Sequence, residues 1–304
     1  MLLAMKIKVA ITAAALASPV ALTVAPVASV GHRSVDAGFT GIASRPFQYR
    51  MAGDFSRDGK PADAPLREAR LSGDIKIMTS QVTSREYAQC VDDGACPRIP
   101  HASGMADRPV VGVSWRDATA YAEWITNKKG VLHRLPTDEE WVFAAGERAR
   151  DEALPMVDPV DPAQAWIARY EAEANRARPV ALDPQPVGTF GRNENGLNDI
   201  GGNVWEWTNT CFLRMTLEPT GTAQVTNTNC GVRVVQGAHR TYMTDFIRDP
   251  RTGGCAAGVP PVNLGFRLVV EDEPLPALRR IVEKVALTLR VNHQRCAIGM
   301  GCSL

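Results

Sequence analysis

The sequence predicts an α+β domain in which short helices and short strands are joined by long loops. Three segments start with serine or threonine and carry an acidic residue three positions later, which is the pattern of a helix capping box. A glycine follows the first two of these helices, at Gly94 and Gly130, where it is expected to end them. The capping pairs are Thr83 with Glu86, Ser114 with Asp117, and Thr137 with Glu140.

Apolar patterning predicts the strands. Phe47, Tyr49 and Met51 alternate with other residues, which is typical of a strand with one buried face. Residues 146–190 have little periodicity and predict a long excursion with one short helix at about Trp166–Ala174. The remaining predicted strands are Ile75–Val82, Pro109–Val113, Val232–Val235 and Leu264–Val270.

Residues 195–208 form the most unusual stretch, with three glycines, three asparagines, two acids and two tryptophans. Glycines allow turns that point carbonyl oxygens inward, and Asp199 and Glu206 supply hard oxygen ligands for calcium. The alternative is a glycine-rich turn that enters a buried strand, with both acids merely hydrogen-bonded. In an extended segment Trp205 and Trp207 lie on one side, so both rings are expected in the core.

Three blocks of sequence resemble the formylglycine-generating enzyme, or sulfatase-modifying factor, family. They are Gly196–Trp207, Arg134–Trp141 and Asn263–Arg267, in the order that the family has them. The resemblance implies the family's variant of the C-type-lectin fold, in one domain over residues 31–270. It also implies a structural calcium ion held by Asp199 and Glu206 and by the backbone oxygens of Gly202 and Val204.

The resemblance breaks where the family performs its chemistry. Enzymes of this family bind copper through two cysteines that would lie between Gly237 and Cys255, yet residues 231–254 contain no cysteine. Thiolate ligation of Cu(I) therefore cannot be built there in the family's way. The five histidines also lack the His-x3-His-x-Glu spacing by which relatives of this domain bind iron, so any redox metal is left undetermined.

A different site is conceivable in the segment that replaces the copper cysteines. His239, Arg240, Tyr242 and Asp245 offer a base, a cation, a phenol and a carboxylate, which suit acid–base catalysis if they converge in a cleft. The alternative is a solvated ion-pair network on a loop. Arg267 is expected to brace the fold through hydrogen bonds rather than to contact a substrate.

The N-terminus predicts export. Two lysines precede an apolar, alanine- and valine-rich run, so residues 1–30 are interpreted as a signal peptide, with an uncleaved membrane anchor as the alternative. Export permits disulfides, and spacing favours Cys90 with Cys96, Cys211 with Cys230, and Cys296 with Cys302, which leaves Cys255 over. A net charge of +1 argues against nucleic acid as a partner.

Residues 271–304 extend past the resembling domain. Apolar residues recur at helical spacing within residues 278–290, which predicts an amphipathic helix, followed by the tail that contains Cys296 and Cys302. We expect the helix to pack on the domain, the alternative being a helix that binds a partner or a membrane surface.

Function is therefore expected to be that of an exported accessory factor in a periplasmic metal or redox pathway, acting on an unidentified protein or small molecule. The segments at residues 50–55 and 62–65 resemble an accessory protein encoded beside copper nitrite reductase in denitrifying bacteria. One alternative is a divergent metal-dependent oxidase with its site around residues 239–251, similar to proteins of pyoverdine maturation. Another is a lectin-like ligand-recognition domain.

Overall fold

A computed structural model describes residues 38–99, 105–150, 183–248 and 263–274. Several predicted features lie outside these residues: the signal peptide at 1–30, the helix at 166–174, Cys255, the helix at 278–290 and the pair Cys296–Cys302. No helix within the described ranges has both the length and the apolar character needed to cross a bilayer. The helices are α1 (Ser84–Asp92), α2 (Trp115–Lys129), α3 (Asp138–Ala145) and a 3-10 turn (Gly146–Arg148). The strands are β1 (Phe39–Ile42), β2 (Phe47–Arg50), β3 (Asp54–Arg57), β4 (Lys60–Ala62), β5 (Leu66–Ala69), β6 (Ile75–Met78), β7 (Val131–Arg134), β8 (Trp205–Leu217), β9 (Ala223–Gln236), β10 (Thr241–Thr244), β11 (Leu264–Gly265) and β12 (Val269–Pro274).

All three predicted helices are confirmed, and each begins with the capping box that predicted it. Thr83, Ser114 and Thr137 adopt extended backbone angles and accept a hydrogen bond from the amide three residues later. The carboxylate at that position accepts a hydrogen bond from the capping residue's own amide. Both donors would otherwise lack partners at a helix start, so these short sequences specify where each helix begins.

The strands form three sheets. A four-stranded sheet has the order β1-β6-β12-β7, and a six-stranded sheet has the order β10-β9-β8-β3-β4 with β11 added beside β8. Strands β2 and β5 pair separately. Helices α1 and α2 share one apolar cluster with Trp205 and Trp207, while α3 packs in a second cluster with Leu197 and Ile200. The mixture of short strands and few helices is the predicted α+β class.

Three predicted strands are wrong in detail. Strand β6 ends at Met78 rather than at Val82. Pro109–Val113 is not a strand, because Gly112 turns with φ +73° and the segment makes only an isolated bridge between Thr83 and Pro109. Leu264–Val270 is not continuous either: β11 ends at Gly265 and β12 begins at Val269. Arg267 lies in this break between β11 and β12, and its side chain is fully buried.

The largest element that the sequence did not predict is the β8–β9 hairpin, which contains 13 and 14 residues in its two strands. Only its base, at Val232–Val235, was expected to be extended. The outer part of β9, at residues 224–231, is exposed on both faces. Because neither face is buried, this part carries no apolar alternation that would reveal a strand.

Candidate functional site

The central loop at residues 195–208 is shaped by left-handed turns. Asp199 has φ +57° and Asn203 has φ +54°, a conformation that non-glycine residues adopt rarely. Asp199 is fully buried, and its carboxylate accepts hydrogen bonds from the amides of Gly188 and Phe190, the latter at 2.8 Å. Asn203 likewise exchanges two 2.9 Å bonds with the backbone of Gln185. These side chains tie the central loop to the segment before it.

Glu206 lies at the end of this loop and is paired with Arg267. The two side chains are both 0% exposed, and the guanidinium donates to both carboxylate oxygens at 2.6 and 2.8 Å. Trp141 Nε1 and Gln81 Nε2 add further bonds at 2.8 Å each. Arg267 also donates to the carbonyls of residues 78, 79 and 198. The expected bracing role of Arg267 is confirmed.

This geometry bears on calcium. Glu206 does not fit a calcium ligand in this arrangement, because its two oxygens already accept four hydrogen bonds and Arg267 balances its charge. The carboxylate of Asp199 points to a different partner set, at residues 188–190. Each of its oxygens accepts one of these bonds, so lone pairs are left for a cation. Calcium at Asp199, Gly202 and Val204 stays a prediction.

A second buried network surrounds Asp138, which the sequence marked only as part of a helix start. Asp138 is 0% exposed and accepts bonds from Tyr49 at 2.7 Å and from Arg240 at 3.2 Å. Gln236 Nε2 also donates to it. Burial raises the pKa of Tyr49 well above its usual range, and the neighbouring Asp138 carboxylate raises it further. Tyr49 therefore donates to Asp138 as a neutral phenol.

The four residues predicted to be catalytic contact several different elements. Arg240 belongs to the Asp138 network and also donates to the carbonyl of Arg50. The hydroxyl of Tyr242 accepts from the amide of Gly53 at 2.7 Å, and Asp245 pairs with Arg116 at 3.1 Å. His239 contacts the carbonyl of Arg240 through Nδ1, with its ring edge-on to Trp205. Three of the four thus tie loop 239–245 to other elements.

A neighbouring ion pair strengthens that attachment. Arg248 donates to both oxygens of Asp117 at 2.7 and 2.8 Å, although Asp117 also closes the capping box of α2. Burial would raise the pKa of the Asp117 carboxyl, but the bonds from Arg248 and Ser114 hold it below its usual value. Asp117 was predicted as a capping residue, and the distant Arg248 that completes its surroundings carries no local signal in the sequence.

One face of the β8–β9–β10 sheet has polar atoms with no hydrogen-bond partner. They are Nε1 of Trp205, Oγ1 of Thr241, Nε of Arg233 and Nε1 of the adjoining Trp115, and all four are buried atoms. Trp205 and Thr241 are 3% and 2% exposed, so bulk water does not satisfy them. Unsatisfied buried donors are uncommon in folded proteins, because each costs free energy. Sequence reasoning assigned only core packing to Trp205 and no role to the other three.

Both disulfides that lie among the described residues were predicted. Cys90–Cys96 spans the turn after α1, and its two residues are buried. Cys211–Cys230 joins β8 to β9, and Cys230 is exposed. Two such bridges are typical of proteins that fold in an oxidising compartment.

Comparison with known proteins identifies relatives of this chain. Residues 45–272 match the family model described as the sulfatase-modifying factor enzyme 1-like domain. A formylglycine-generating enzyme of Streptomyces coelicolor is 32% identical over 178 residues, which cover 54% of this chain and 53% of the relative. The inactive C-alpha-formylglycine-generating enzyme 2 of Mus musculus is 35% identical over 182 residues, covering 54% and 51%. The chain thus spans about half the length of these curated relatives.

Solved structures with weaker similarity were also found. PvdO from Pseudomonas aeruginosa has a TM-score of 0.47 and 19% identity, covering 77% of this chain and 94% of its own. Treponema denticola variable protein 1 has a TM-score of 0.45 and 18% identity, covering 76% and 94%.

Proposed function

The chain belongs to the family of sulfatase-modifying factor enzyme 1-like domains, and from that premise we propose that it is an exported accessory factor, not a formylglycine-generating enzyme. In this proposal it binds or matures a component of a periplasmic metal or redox pathway, such as denitrification. The observation that carries the proposal is the lack of any cysteine in residues 231–254, where the resembling enzymes bind copper. A relative named formylglycine-generating enzyme and one named as an inactive form are 32% and 35% identical to this chain, so overall similarity does not decide the matter.

The contacts of loop 239–245 also support a factor without acid–base catalysis at this place. Arg240 is held by Asp138, Tyr242 by Gly53 and Asp245 by Arg116. A general acid or base must reach the proton that it moves, and these groups are instead directed at separate structural partners. Export is supported by the disulfides Cys90–Cys96 and Cys211–Cys230, which persist in oxidising compartments.

The test is direct. The purified chain is incubated with copper(I), oxygen and a cysteine-containing sulfatase peptide, with an active formylglycine-generating enzyme run in parallel. Mass spectrometry of the peptide should show conversion only by the control enzyme. Formylglycine produced by this chain above the no-protein background would overturn the proposal.

A divergent oxidase is the second candidate, because one observation favours it. The indole N–H of Trp205 is buried without a partner and can donate to an acceptor atom of a bound substrate, and the ring of His239, whose nitrogens can ligate a metal, lies edge-on to it with centroids 5.4 Å apart. Copper or iron that stays bound at near-stoichiometric amounts through gel filtration would support this candidate. Loss of that metal in His239→Ala, but not in Tyr242→Phe, would place it beside Trp205.

Calcium is proposed as a structural ion of the central loop, with Asp199 and the backbone oxygens of Gly202 and Val204 as its ligands. Besides the spare lone pairs of Asp199, Oε1 of the nearby Gln81 is buried without a partner, so an unused oxygen lies beside the loop. An ion that binds only the native state raises thermal stability by mass action. Calcium should raise the melting temperature of the wild type relative to chelator and leave Asp199→Asn unchanged. Identical melting temperatures of the wild type in calcium and in chelator would exclude the site.

A further inference from the structure

The two disulfides of the described chain lie in different surroundings. Cys90 is 0% exposed and Cys96 is 7% exposed, and both belong to the main apolar cluster. Cys211 is half-buried and Cys230 is exposed. A thiol that attacks a disulfide needs access to one of its sulfur atoms, so the bridge between β8 and β9 is the more accessible of the two.

A cation is fixed against the accessible bridge. Arg233 lies opposite Cys211 in the β8–β9 pairing, and its Nη1 is 3.3 Å from Cys211 Sγ. The guanidinium is held from two sides, with its Cζ 3.9 Å above the Trp115 ring and its Nη1 2.9 Å from the Asn209 carbonyl. No carboxylate lies within ion-pair distance of Arg233 among the described residues, and its Nε has no hydrogen-bond partner. Within the described residues only the more distant Asp245 acts on its charge, so a thiolate at Cys211 would be its nearest counter-charge.

We propose that Cys211–Cys230 is a redox-active disulfide, which accepts two electrons from an external dithiol while Arg233 stabilises the Cys211 thiolate. A cation beside a cysteine lowers the pKa of its thiol, and a thiolate with a lower pKa leaves a disulfide faster. Stabilising the reduced form also makes the disulfide more oxidising. Burial lowers the pKa of the Arg233 guanidinium somewhat, against the opposing effect of nearby Asp245. The group nevertheless stays protonated at neutral pH.

The exchange proceeds in two balanced steps. A thiolate of the dithiol attacks the sulfur of the exposed residue Cys230, which forms a mixed disulfide and releases Cys211 as a thiolate beside Arg233. The second thiol of the dithiol, once deprotonated, then attacks the dithiol sulfur that is bonded to Cys230. This closes the disulfide of the oxidised dithiol and releases Cys230 as a thiolate. The dithiol is oxidised to a disulfide, and the protein pair is reduced by two electrons. The protons lost by the dithiol are available to the released thiolates.

Strand pairing continues on both sides of this bridge, although the register shifts on each side of Cys211. Glu206 pairs with Gln236 on the domain side of Cys211, and Leu213 pairs with Thr228 on the outer side. The bridge spans only 19 residues of sequence, between strands that are already hydrogen-bonded to each other. Reduction is therefore expected to leave the hairpin in place, as a reversible redox step requires.

The experiment compares the two disulfides within one sample. The full chain is equilibrated in buffers with increasing ratios of reduced to oxidised dithiothreitol, quenched with acid and alkylated, and each cysteine is scored by peptide mass spectrometry. We expect Cys211 and Cys230 to become half-reduced at a ratio at least about tenfold lower than Cys90 and Cys96, since tenfold in the exchange constant is about 30 mV. Equal midpoints for the two bridges would overturn the proposal.

Variants test the role of the cation. Arg233→Gln should move the Cys211–Cys230 midpoint about tenfold toward more reducing buffer, since it loses a charge-assisted hydrogen bond. Arg233→Lys should restore part of the shift. The matched control is Arg214→Gln, which removes an exposed arginine from the same strand as Cys211. An Arg233→Gln midpoint equal to that of the wild type would remove Arg233 from the proposal. Because Arg233→Lys keeps the charge, a midpoint for it equal to that of Arg233→Gln would overturn the electrostatic explanation even if Arg233→Gln folded poorly.

The result of this redox titration does not depend on the result of the formylglycine assay. A chain that fails to convert the peptide retains its disulfide exchange under this proposal, and a chain that converts the peptide can still have an inert bridge.

Discussion

Arg267 and Arg233 are both withdrawn from bulk water, yet their surroundings differ in kind. Arg267 is fully buried. Its Nε and Nη2 donate to the carboxylate of Glu206, and its Nη1 and Nη2 donate to three backbone carbonyls, so each of its nitrogens has a hydrogen-bond partner. Arg233 is half-buried and contacts an indole ring, a carbonyl and a sulfur, with its Nε unpartnered.

The difference separates an arginine that holds the fold from one that is available for chemistry. A buried cation is tolerable only when carboxylates and hydrogen bonds replace the water that it has lost. Arg267 meets that condition within the chain, so nothing external is needed. Arg233 meets it in part, so an anion formed at Cys211 or brought by a ligand would complete its surroundings. Disrupting the contacts of Arg267 should therefore lower stability more than replacing Arg233 does, whereas replacing Arg233 should have the larger effect on the reduction of Cys211–Cys230.

The largest expected effect on stability is at the buried ion pair of Glu206 and Arg267. Replacing Glu206 by Gln leaves the buried Arg267 without its counter-ion, which should lower the free energy of unfolding by about 3–5 kcal/mol. Urea unfolding monitored by tryptophan fluorescence gives this quantity. The matched control is Arg192→Gln, which removes an exposed arginine bonded to Asn198 of the same loop and should change stability by less than about 1 kcal/mol.

That experiment also separates the ion pair from calcium. The loss in Glu206→Gln is expected both in calcium and in chelator, because Arg267 and not a metal is the partner of Glu206. If chelator alone made the wild type as unstable as the variant, a metal would be carrying the charge balance that the structure assigns to Arg267.

An intermediate effect is expected at Tyr49, which donates to Asp138 in the network of a third arginine, Arg240. The pKa of Tyr49 in the folded protein lies above its ordinary value of 10.0, because of burial and of Asp138. The unfolded chain therefore loses this proton first as the pH rises. The contribution is fully present below pH 10 and is lost above it, by up to about 1.4 kcal/mol per pH unit.

Tyr49→Phe removes that pH dependence along with the hydrogen bond. The free energy of unfolding of the variant should fall less steeply than that of the wild type between about pH 10 and pH 11. Below pH 9 the two curves should run parallel, offset by the lost bond to Asp138, which provides the internal control. Parallel curves above pH 10 would mean that Tyr49 is not held neutral.

Local sequence patterns predicted the helix starts and the disulfides, but they did not predict the contacts between residues that are far apart in the chain. Each capping box is complete within four residues, so the helices that begin after Thr83, Ser114 and Thr137 could be predicted without knowing the fold. The disulfides Cys90–Cys96 and Cys211–Cys230 were likewise accessible from spacing.

The site was harder, because its key contacts join residues far apart in the chain. Glu206 was interpreted as a calcium ligand since the sequence displays its carboxylate but not the guanidinium of Arg267, 61 residues later. In the same way, the sequence left open whether the polar residues at 239–245 converge in a cleft or form a network on a loop, because Arg240 and Tyr242 contact Asp138 and Gly53 on other elements. Proximity in sequence is a poor guide to a shared partner once a loop is anchored from several sides.

The smallest expected effect on stability is at Arg233 itself. Arg233→Gln gives up the contact with the Trp115 ring and one good hydrogen bond, to the Asn209 carbonyl, but it also relieves an unsatisfied buried Nε–H. A cation–π contact at a partly exposed site contributes about 0.5–1 kcal/mol, and removing an orphaned donor offsets part of that loss. We expect the free energy of unfolding of the oxidised protein to fall by less than about 1 kcal/mol, several times less than for Glu206→Gln. Trp115→Phe is the companion variant, because it keeps a ring beneath the guanidinium and removes the unpartnered indole N–H. A loss at Arg233 as large as that at Glu206 would mean that Arg233 is structural after all, and the contrast between the two arginines would collapse.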